Sequence, residues 1–206
     1  MFALTPEDLR GRILDCGAGP ASFNAEATEA GHRTVSCDPL YRSSADAIRH
    51  RVEETADTLL ASVREHTDRF VWRHVGSPER LREIRLSAMR RFPEDVPAGL
   101  DRGRYRTDAL PHPLQRRRVR PRPLLAPALP LLRRALPGVP LAAVEGMARV
   151  AGEVRLFPLL GAYGAPSPHL RPLVHALQGR GYAVETRRVP YEFLRGGNEV
   201  LSVTGP

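Results

Sequence analysis

The sequence predicts an α/β fold, with one mostly parallel sheet, helices on both faces and an antiparallel strand pair at the C-terminal end. Residues 12–41 contain an apolar strand, a glycine turn, a helix and a second strand in that order. Helix and strand patterns alternate again after residue 140 and end in two strands around the sequence RGGN. The 206 residues are enough for one core, so we predict a single domain over 1–206.

The first strand and its turn form the candidate ligand site. Ile13 and Leu14 are an apolar run typical of a strand buried on both faces. The run stops at Asp15, and Gly17 and Gly19 follow with one residue between them. Glycines at these positions allow a tight turn and let a ligand approach the main chain closely.

A helix and a second strand follow the turn. Pro20 suits the first turn of a helix and predicts that the helix begins there, and Gly31 predicts its end. The next strand covers residues 34–37, and Asp38 closes it 21 positions after Gly17. An acidic residue about 20 positions beyond a glycine turn can accept hydrogen bonds from both ribose hydroxyls of an adenosine.

The chemistry of the turn favours a cationic ligand over a dinucleotide. A dinucleotide site needs a third glycine at position 22, which is Ser22 here. Asp15 directly before the glycines disfavours a phosphate, whereas S-adenosylmethionine has an ammonium, a sulfonium and no phosphate. Another kind of βαβ unit with a glycine turn is the alternative.

An acidic residue followed by Gly-x-Gly, as in Asp15 to Gly19, resembles the first motif of the class I (Rossmann-like) S-adenosylmethionine-dependent methyltransferases. The resemblance implies that the turn lines the methionine side of the cofactor, that Asp38 holds the ribose and that the next two residues lie beside the adenine. It thus implies the cofactor-binding residues Asp15, Cys16, Gly17, Ala18, Gly19, Asp38, Pro39 and Leu40.

The C-terminal pattern extends this resemblance to roughly three-quarters of the chain. A helical stripe before residue 150, a strand over 153–160, a helix opened by Ser167 and Pro168, and strands over 184–189 and 199–203 are how this fold finishes. The tail VPYEFLRGGNEVL is similar to small bacterial methyltransferases of unassigned substrate. The implied function is transfer of a methyl group to a small molecule.

Residues 42–100 are predicted to be a helical insert between the second and third strands. Apolar residues at helical spacing predict a helix over 45–65, Ser77 and Pro78 begin another, and a short third strand is predicted at 104–107. The insert either covers a cofactor or substrate site or is simply a packed amphipathic pair.

The net charge of +8 comes from one segment rather than from a basic surface. All 31 basic residues are arginine, and residues 111–140 hold seven of them and no acidic residue. This distribution argues against a nucleic-acid partner. An RNA-binding arm, attached to a non-catalytic Rossmann-like binding protein or a degenerate methyltransferase, is the alternative.

The same segment conflicts with the predicted sheet. A central fourth strand belongs there, yet Pro121, Pro123, Pro127 and Pro130 predict that no normal strand crosses it, because proline cannot donate to a ladder. Codon choices permitted in a frame moved by one nucleotide near His112 give an acidic turn and an apolar strand instead. We therefore hypothesise two compensating frame changes, the second between residues 134 and 140.

The remaining residues with useful chemistry give weaker signals. Cys16 and Cys37 lie outside any CxxC or metal-ligand spacing, which predicts reduced thiols in a cytoplasmic protein and no metal site. No apolar run approaches the ~20 residues of a membrane span. The catalytic residues stay unknown, and the candidates by residue type alone are Tyr41, His74, Tyr105, His169 and Tyr191.

Overall fold

The computed structural model describes residues 1–107, 124–127, 139–161, 164–165 and 167–206. Strands in these ranges form one sheet in the order β3-β2-β1-β4-β5-β7-β6. Strands β1 to β5 run parallel to one another, and β7 is antiparallel to both β5 and β6. The strands are β1 Arg12–Cys16, β2 Arg33–Cys37, β3 Tyr105–Arg106, β4 Leu124–Pro127, β5 Glu153–Phe157, β6 Ala183–Arg188 and β7 Glu199–Thr204.

Helices cover both faces of this sheet, as predicted. They are α1 Pro6–Arg10, α2 Phe23–Glu29, α3 Ala45–Glu65, α4 Pro78–Asp101, α5 Val139–Ala148 and α6 Leu170–Gly179. Leu14 lies on the face that packs against α5 and α6. Asn24 of α2 donates a hydrogen bond to Ser36 (3.1 Å), and Ser36 in turn contacts Asp15 on the opposite face. The arrangement is α/β and compatible with a Rossmann-like fold.

The two long helices α3 and α4 occupy the chain between β2 and β3. Ser44 caps α3 by accepting a hydrogen bond from the Ala47 amide (3.2 Å), and Ser77 caps α4 through the Arg80 amide (3.1 Å). The helices pack against each other. None of the helices in the described ranges is long and apolar enough to cross a membrane.

The expectation that prolines exclude a central strand is wrong for residues 124–127. Strand β4 lies between β1 and β5, with Leu124 opposite both Leu14 and Val154. The strand fits because Pro123 precedes it and Pro127 is its last residue, so three consecutive residues between them retain their amide donors. The rest of the segment 111–138 lies outside the described residues.

Three other boundaries differ from the predictions. The helix expected from Pro20 begins at Phe23, because the glycine turn continues to Ser22. The strand expected to reach residue 160 ends at Phe157, because the next residue is a proline without an amide donor. Helix α1 was not predicted, although Thr5 and Asp8 form a capping box at its start.

The frame-change hypothesis stays a prediction about the gene. It expects an independent DNA read across codons 108–141 to show a shifted frame that replaces most of the arginines. Agreement of that read with the sequence as given would refute the hypothesis, and β4 would then be the native fourth strand.

Arg155 of β5 connects the sheet to the N-terminal segment, and its loss is expected to destabilise the fold. Its buried guanidinium donates two bonds to Glu153 (both 2.8 Å) and one each to Asp8 and the Ala3 carbonyl (both 2.9 Å). Arg155→Met leaves Asp8 without its cation and Glu153 with only the exposed Arg187, and should cost about 3–5 kcal/mol in urea unfolding. Arg187→Met removes an exposed pair to the same Glu153 and should cost less than about 1 kcal/mol. Equal costs would contradict this assignment.

Candidate functional site

The glycine turn and Asp38 meet at the carboxyl edge of the sheet. Strands β1 and β2 are parallel and end together, with Cys16 opposite Cys37. The Asp38 carboxylate accepts one hydrogen bond from the Gly19 amide (2.9 Å) and another from the Leu40 amide (2.8 Å). Each oxygen keeps a second lone pair for another donor. The edge of the sheet is also where open α/β sheets bind their ligands.

The turn has the conformation and the space that a close-fitting ligand requires. Gly17 and Gly19 adopt φ values of 70° and 59°, which side chains other than glycine rarely tolerate. Among the described residues other than its chain neighbours, no atom lies within 4 Å of the position that a Cβ on Gly19 would occupy. A ligand can therefore approach the main chain there at a distance that a side chain would prevent.

Tyr41 fixes the turn from the side of the helical insert. Its hydroxyl donates a hydrogen bond to the Gly19 carbonyl (2.9 Å), and its ring packs against Phe92 and Tyr105. Burial raises the pKa of Tyr41 far above its usual value, so the phenol stays protonated and remains a donor. This hydrogen bond supports the glycine turn and does not involve the Asp38 carboxylate.

Asp15 is a buried carboxyl group beneath the turn. Burial, with a smaller contribution from the nearby Asp38 charge, raises its pKa to about 7 although a hydrogen bond from Ser36 (3.4 Å) opposes the shift. Among the described residues, no basic side chain pairs with it. A buried carboxylate without a cation is energetically costly and would be stabilised by a positively charged ligand.

The remaining residues of the predicted cofactor site divide between two environments. Ala18 and Leu40 pack against an apolar cluster built largely from the insert, and Pro39 begins a short 3₁₀ turn that includes Leu40. The Cys16 thiol points instead into the core on the other face of the sheet. Cys16 can therefore contribute only its backbone to the turn. Both cysteines are buried thiols rather than a disulfide.

These residues fit S-adenosylmethionine on three independent observations. Open space above Gly19 can admit the methionine part of the molecule, Asp15 provides a negative charge for its ammonium, and Asp38 keeps acceptor capacity for the ribose hydroxyls. Within the described ranges, no three His, Cys, Asp or Glu side chains form a group that could hold a metal ion.

The five candidates for catalysis by residue type separate into three places. Tyr41 and Tyr105 lie in one aromatic cluster under the insert, with ring centroids 5.2 Å apart. His74 stacks on Tyr191 at 5.3 Å and lies 3.0 Å from the Pro190 carbonyl, near the carboxyl end of β5. His169 precedes α6 and belongs to neither group.

The loop between β6 and β7 is anchored to the insert. The loop spans residues 189–198 and is closed by a hydrogen bond from the Val189 amide to the Asn198 carbonyl (2.8 Å). Leu194 pairs with Phe70 in an isolated bridge, and the Arg195 amide bonds to the Arg69 carbonyl (2.9 Å). This loop carries Tyr191 toward the segment between α3 and α4.

Sequence reasoning missed two residues of this region. Ser36 contacts Asp15, which the strand register Asp15 to Ser36 could have indicated once β1 and β2 were paired. Arg85 of α4 lies in the insert near Tyr191, and no local sequence pattern distinguishes it from the other arginines of that helix.

Comparison with known proteins gives one informative likeness. The chain is 25% identical over 205 residues to a protein of Methanocaldococcus jannaschii described only as uncharacterized, covering 98% of this chain and 90% of that protein. No family model matches the chain. The relative is archaeal, so the comparison does not support the expected bacterial kinship.

Proposed function

We propose that the protein is an S-adenosylmethionine-dependent methyltransferase that acts on a small molecule. The observation that carries the proposal is the pairing of the Gly19 amide with Asp38 beside the buried Asp15 carboxyl. In this arrangement Asp38 can accept hydrogen bonds from ribose hydroxyls and Asp15 provides a negative charge, with the open glycine turn near both. The strand order, with β4 beside β1 and an antiparallel pair at the end, matches what the resemblance to class I methyltransferases implies.

The same residues argue against a nucleotide with phosphates. Asp15 would repel a pyrophosphate across the turn, and position 22 carries a serine where the close helix–strand packing of a dinucleotide site needs glycine. A positively charged adenosine ligand can interact favourably with both Asp15 and Asp38, whereas NAD or ATP can do so only with Asp38.

The chemistry requires positioning more than acid–base groups. When bound, S-adenosylmethionine supplies a methyl carbon that an acceptor lone pair attacks, while the carbon–sulfur bond breaks with its electrons on sulfur to give S-adenosylhomocysteine. In the proposal Asp38 and the turn hold the adenosine and methionine ends, and thereby fix the orientation of the reacting carbon. A base is needed only for an acceptor that must lose a proton.

Calorimetric titration tests the proposal. S-Adenosylmethionine and S-adenosylhomocysteine should bind with micromolar dissociation constants, whereas NAD and ATP should bind at least about 100-fold more weakly because of charge repulsion at Asp15. Tighter binding of NAD or ATP than of S-adenosylhomocysteine, or no binding of any of these ligands, would refute the assignment.

A non-catalytic binding protein is the second candidate, favoured by the seven arginines without acids in residues 111–140. It predicts RNA binding that weakens steeply with salt and disappears when Arg116 to Arg122 are neutralised. The methyltransferase proposal predicts no such binding. The buried thiols Cys16 and Cys37 support a cytoplasmic location as part of the methyltransferase proposal.

A further inference from the structure

A groove runs between α3 and α4 and is almost entirely apolar. Its enclosed part has a volume of about 40 Å³, and together with the adjoining space open to solvent the groove contains about 390 Å³. Leu59 on its wall is 41% exposed, so part of the apolar lining is open to solvent. The lining residues are Val52, Thr55, Ala56, Leu59, Leu60, Val63, Leu81, Arg82, Arg85, Leu86 and Met89.

Arg85 is the unusual member of this lining. It is half-buried, and no hydrogen bond or ion pair joins it to any residue that the structure describes. Two other arginines of α4 do form ion pairs: Arg80 pairs with Glu83 at 2.8 Å, and Arg82 pairs with Asp57 at 3.3 Å. A guanidinium normally keeps at least one acceptor when it leaves water, so Arg85 has unused capacity for an anion.

The groove shares an apolar cluster with two residues of the proposed cofactor site. Val52 and Met89 line the groove and also pack in the cluster that includes Ala18 and Leu40. One end of the groove therefore lies close to the proposed cofactor site.

Tyr191 lies between the charged part of the groove and the last residue of β5. Arg85 lies within electrostatic range of Tyr191. The Tyr191 ring is 6.1 Å from the ring of Phe157, the last residue of β5. A molecule that pairs with Arg85 would thus have its charged end on the Tyr191 side of the groove and its apolar part between the helices.

We propose that this groove binds the methyl acceptor, and that the acceptor is an amphipathic anion whose carboxylate or phosphate pairs with Arg85 while its apolar part contacts the walls of α3 and α4. The inference rests on the proposed methyltransferase function, because it assigns the acceptor class to the same site. Charge complementarity selects the anion, and the apolar walls select a hydrocarbon chain or ring.

The ionisation of Arg85 agrees with this assignment. Burial lowers the pKa of its guanidinium, which means that the apolar surroundings disfavour the charge. An anion bound beside Arg85 would stabilise the charged guanidinium. It would also be held more strongly than at an exposed arginine.

Titration of the protein saturated with S-adenosylhomocysteine tests the proposal, with decanoate as the anionic probe and decan-1-ol as its neutral match. Decanoate should bind at least about tenfold more tightly than decan-1-ol to the unaltered protein. Arg85→Met should abolish that difference, whereas Arg80→Met, at an exposed and paired arginine of the same helix, should preserve it.

A second variant keeps the test valid if Arg85→Met unfolds. Leu59→Asp places a negative charge on the exposed wall and should weaken decanoate binding at least about tenfold with Arg85 intact. Equal binding of decanoate and decan-1-ol, or decanoate binding unchanged by Arg85→Met, overturns the acceptor assignment.

Titration with S-adenosylhomocysteine distinguishes a failure of the proposed acceptor class from a failure of the proposed methyltransferase function. Arg85→Met should bind S-adenosylhomocysteine as the unaltered protein does, because Arg85 lies outside the glycine turn. Loss of S-adenosylhomocysteine binding by the unaltered protein refutes the function itself. Normal S-adenosylhomocysteine binding without decanoate binding refutes the acceptor class alone.

Discussion

Asp38→Ala should weaken S-adenosylhomocysteine binding by about 100-fold, measured by calorimetry at pH 8. The variant removes an ionised acceptor for two ribose hydroxyls, and hydrogen bonds to a charged group contribute about 1.5–3 kcal/mol each. It also releases the Gly19 and Leu40 amides, which the carboxylate holds at 2.9 and 2.8 Å. The turn therefore loses both its ligand contact and part of its support.

Two controls separate these contributions. Asp46→Ala removes an exposed carboxylate that pairs with Arg49 on α3, and it should leave the affinity unchanged. An S-adenosylhomocysteine analogue without ribose hydroxyls should bind the unaltered protein and Asp38→Ala with affinities that differ by less than about tenfold. If Asp38→Ala binds S-adenosylhomocysteine normally, the ribose does not lie at the end of β2.

Asp15→Asn should make the ligand-free protein more stable above pH 7 while reducing its affinity for the cofactor. The folded pKa of Asp15 is about 7, above the value of about 3.9 for an unfolded chain. The stability that the neutral carboxyl contributes is fully present below pH 4 and is lost as the pH rises through 7. At pH 8 the ionised form should cost the unaltered protein about 4 kcal/mol relative to the asparagine variant.

Urea unfolding at pH 5 and pH 8 measures this effect directly. The difference between the two proteins should be several-fold smaller at pH 5, where Asp15 is largely neutral in the folded state. A difference that does not depend on pH would show that Asp15 does not titrate near neutrality. Cofactor binding should also release a proton near pH 7 in the unaltered protein and none in Asp15→Asn.

The turn and Asp38 were predictable because their positions depend on local sequence. An apolar strand, two glycines and an acid 21 positions after Gly17 specify a βαβ unit almost without regard to the rest of the chain. Helix α3 was equally predictable, since apolar residues at helical spacing and Ser44 as its cap define its residues 45–65.

The centre of the sheet was not predictable in the same way. Prolines normally break strands, and the pattern around residues 121–130 indicated none. Strand β4 forms because β1 and β5 provide hydrogen-bonding partners on both sides and its first three residues lie between Pro123 and Pro127. Tertiary pairing here overrides the local signal, which sequence patterns alone do not contain.

The residues that the site gains from tertiary structure were also hidden. Ser36 contacts Asp15 only because two parallel strands are paired in one register. Arg85 is distinguished from the other arginines of α4 by its burial combined with the lack of a counterion in the part of the chain that the structure describes, and both depend on how α3 packs beside it. Neither property leaves a pattern in the sequence.

The most direct measurement of the central claim is a map of amide chemical-shift changes when S-adenosylhomocysteine is added to the ¹⁵N-labelled protein. The account predicts that the largest changes occur at Gly17, Gly19 and Leu40, since these amides form the turn or bond to Asp38. Saturable changes centred elsewhere, or no changes at millimolar ligand, would contradict the claim that this turn binds the cofactor.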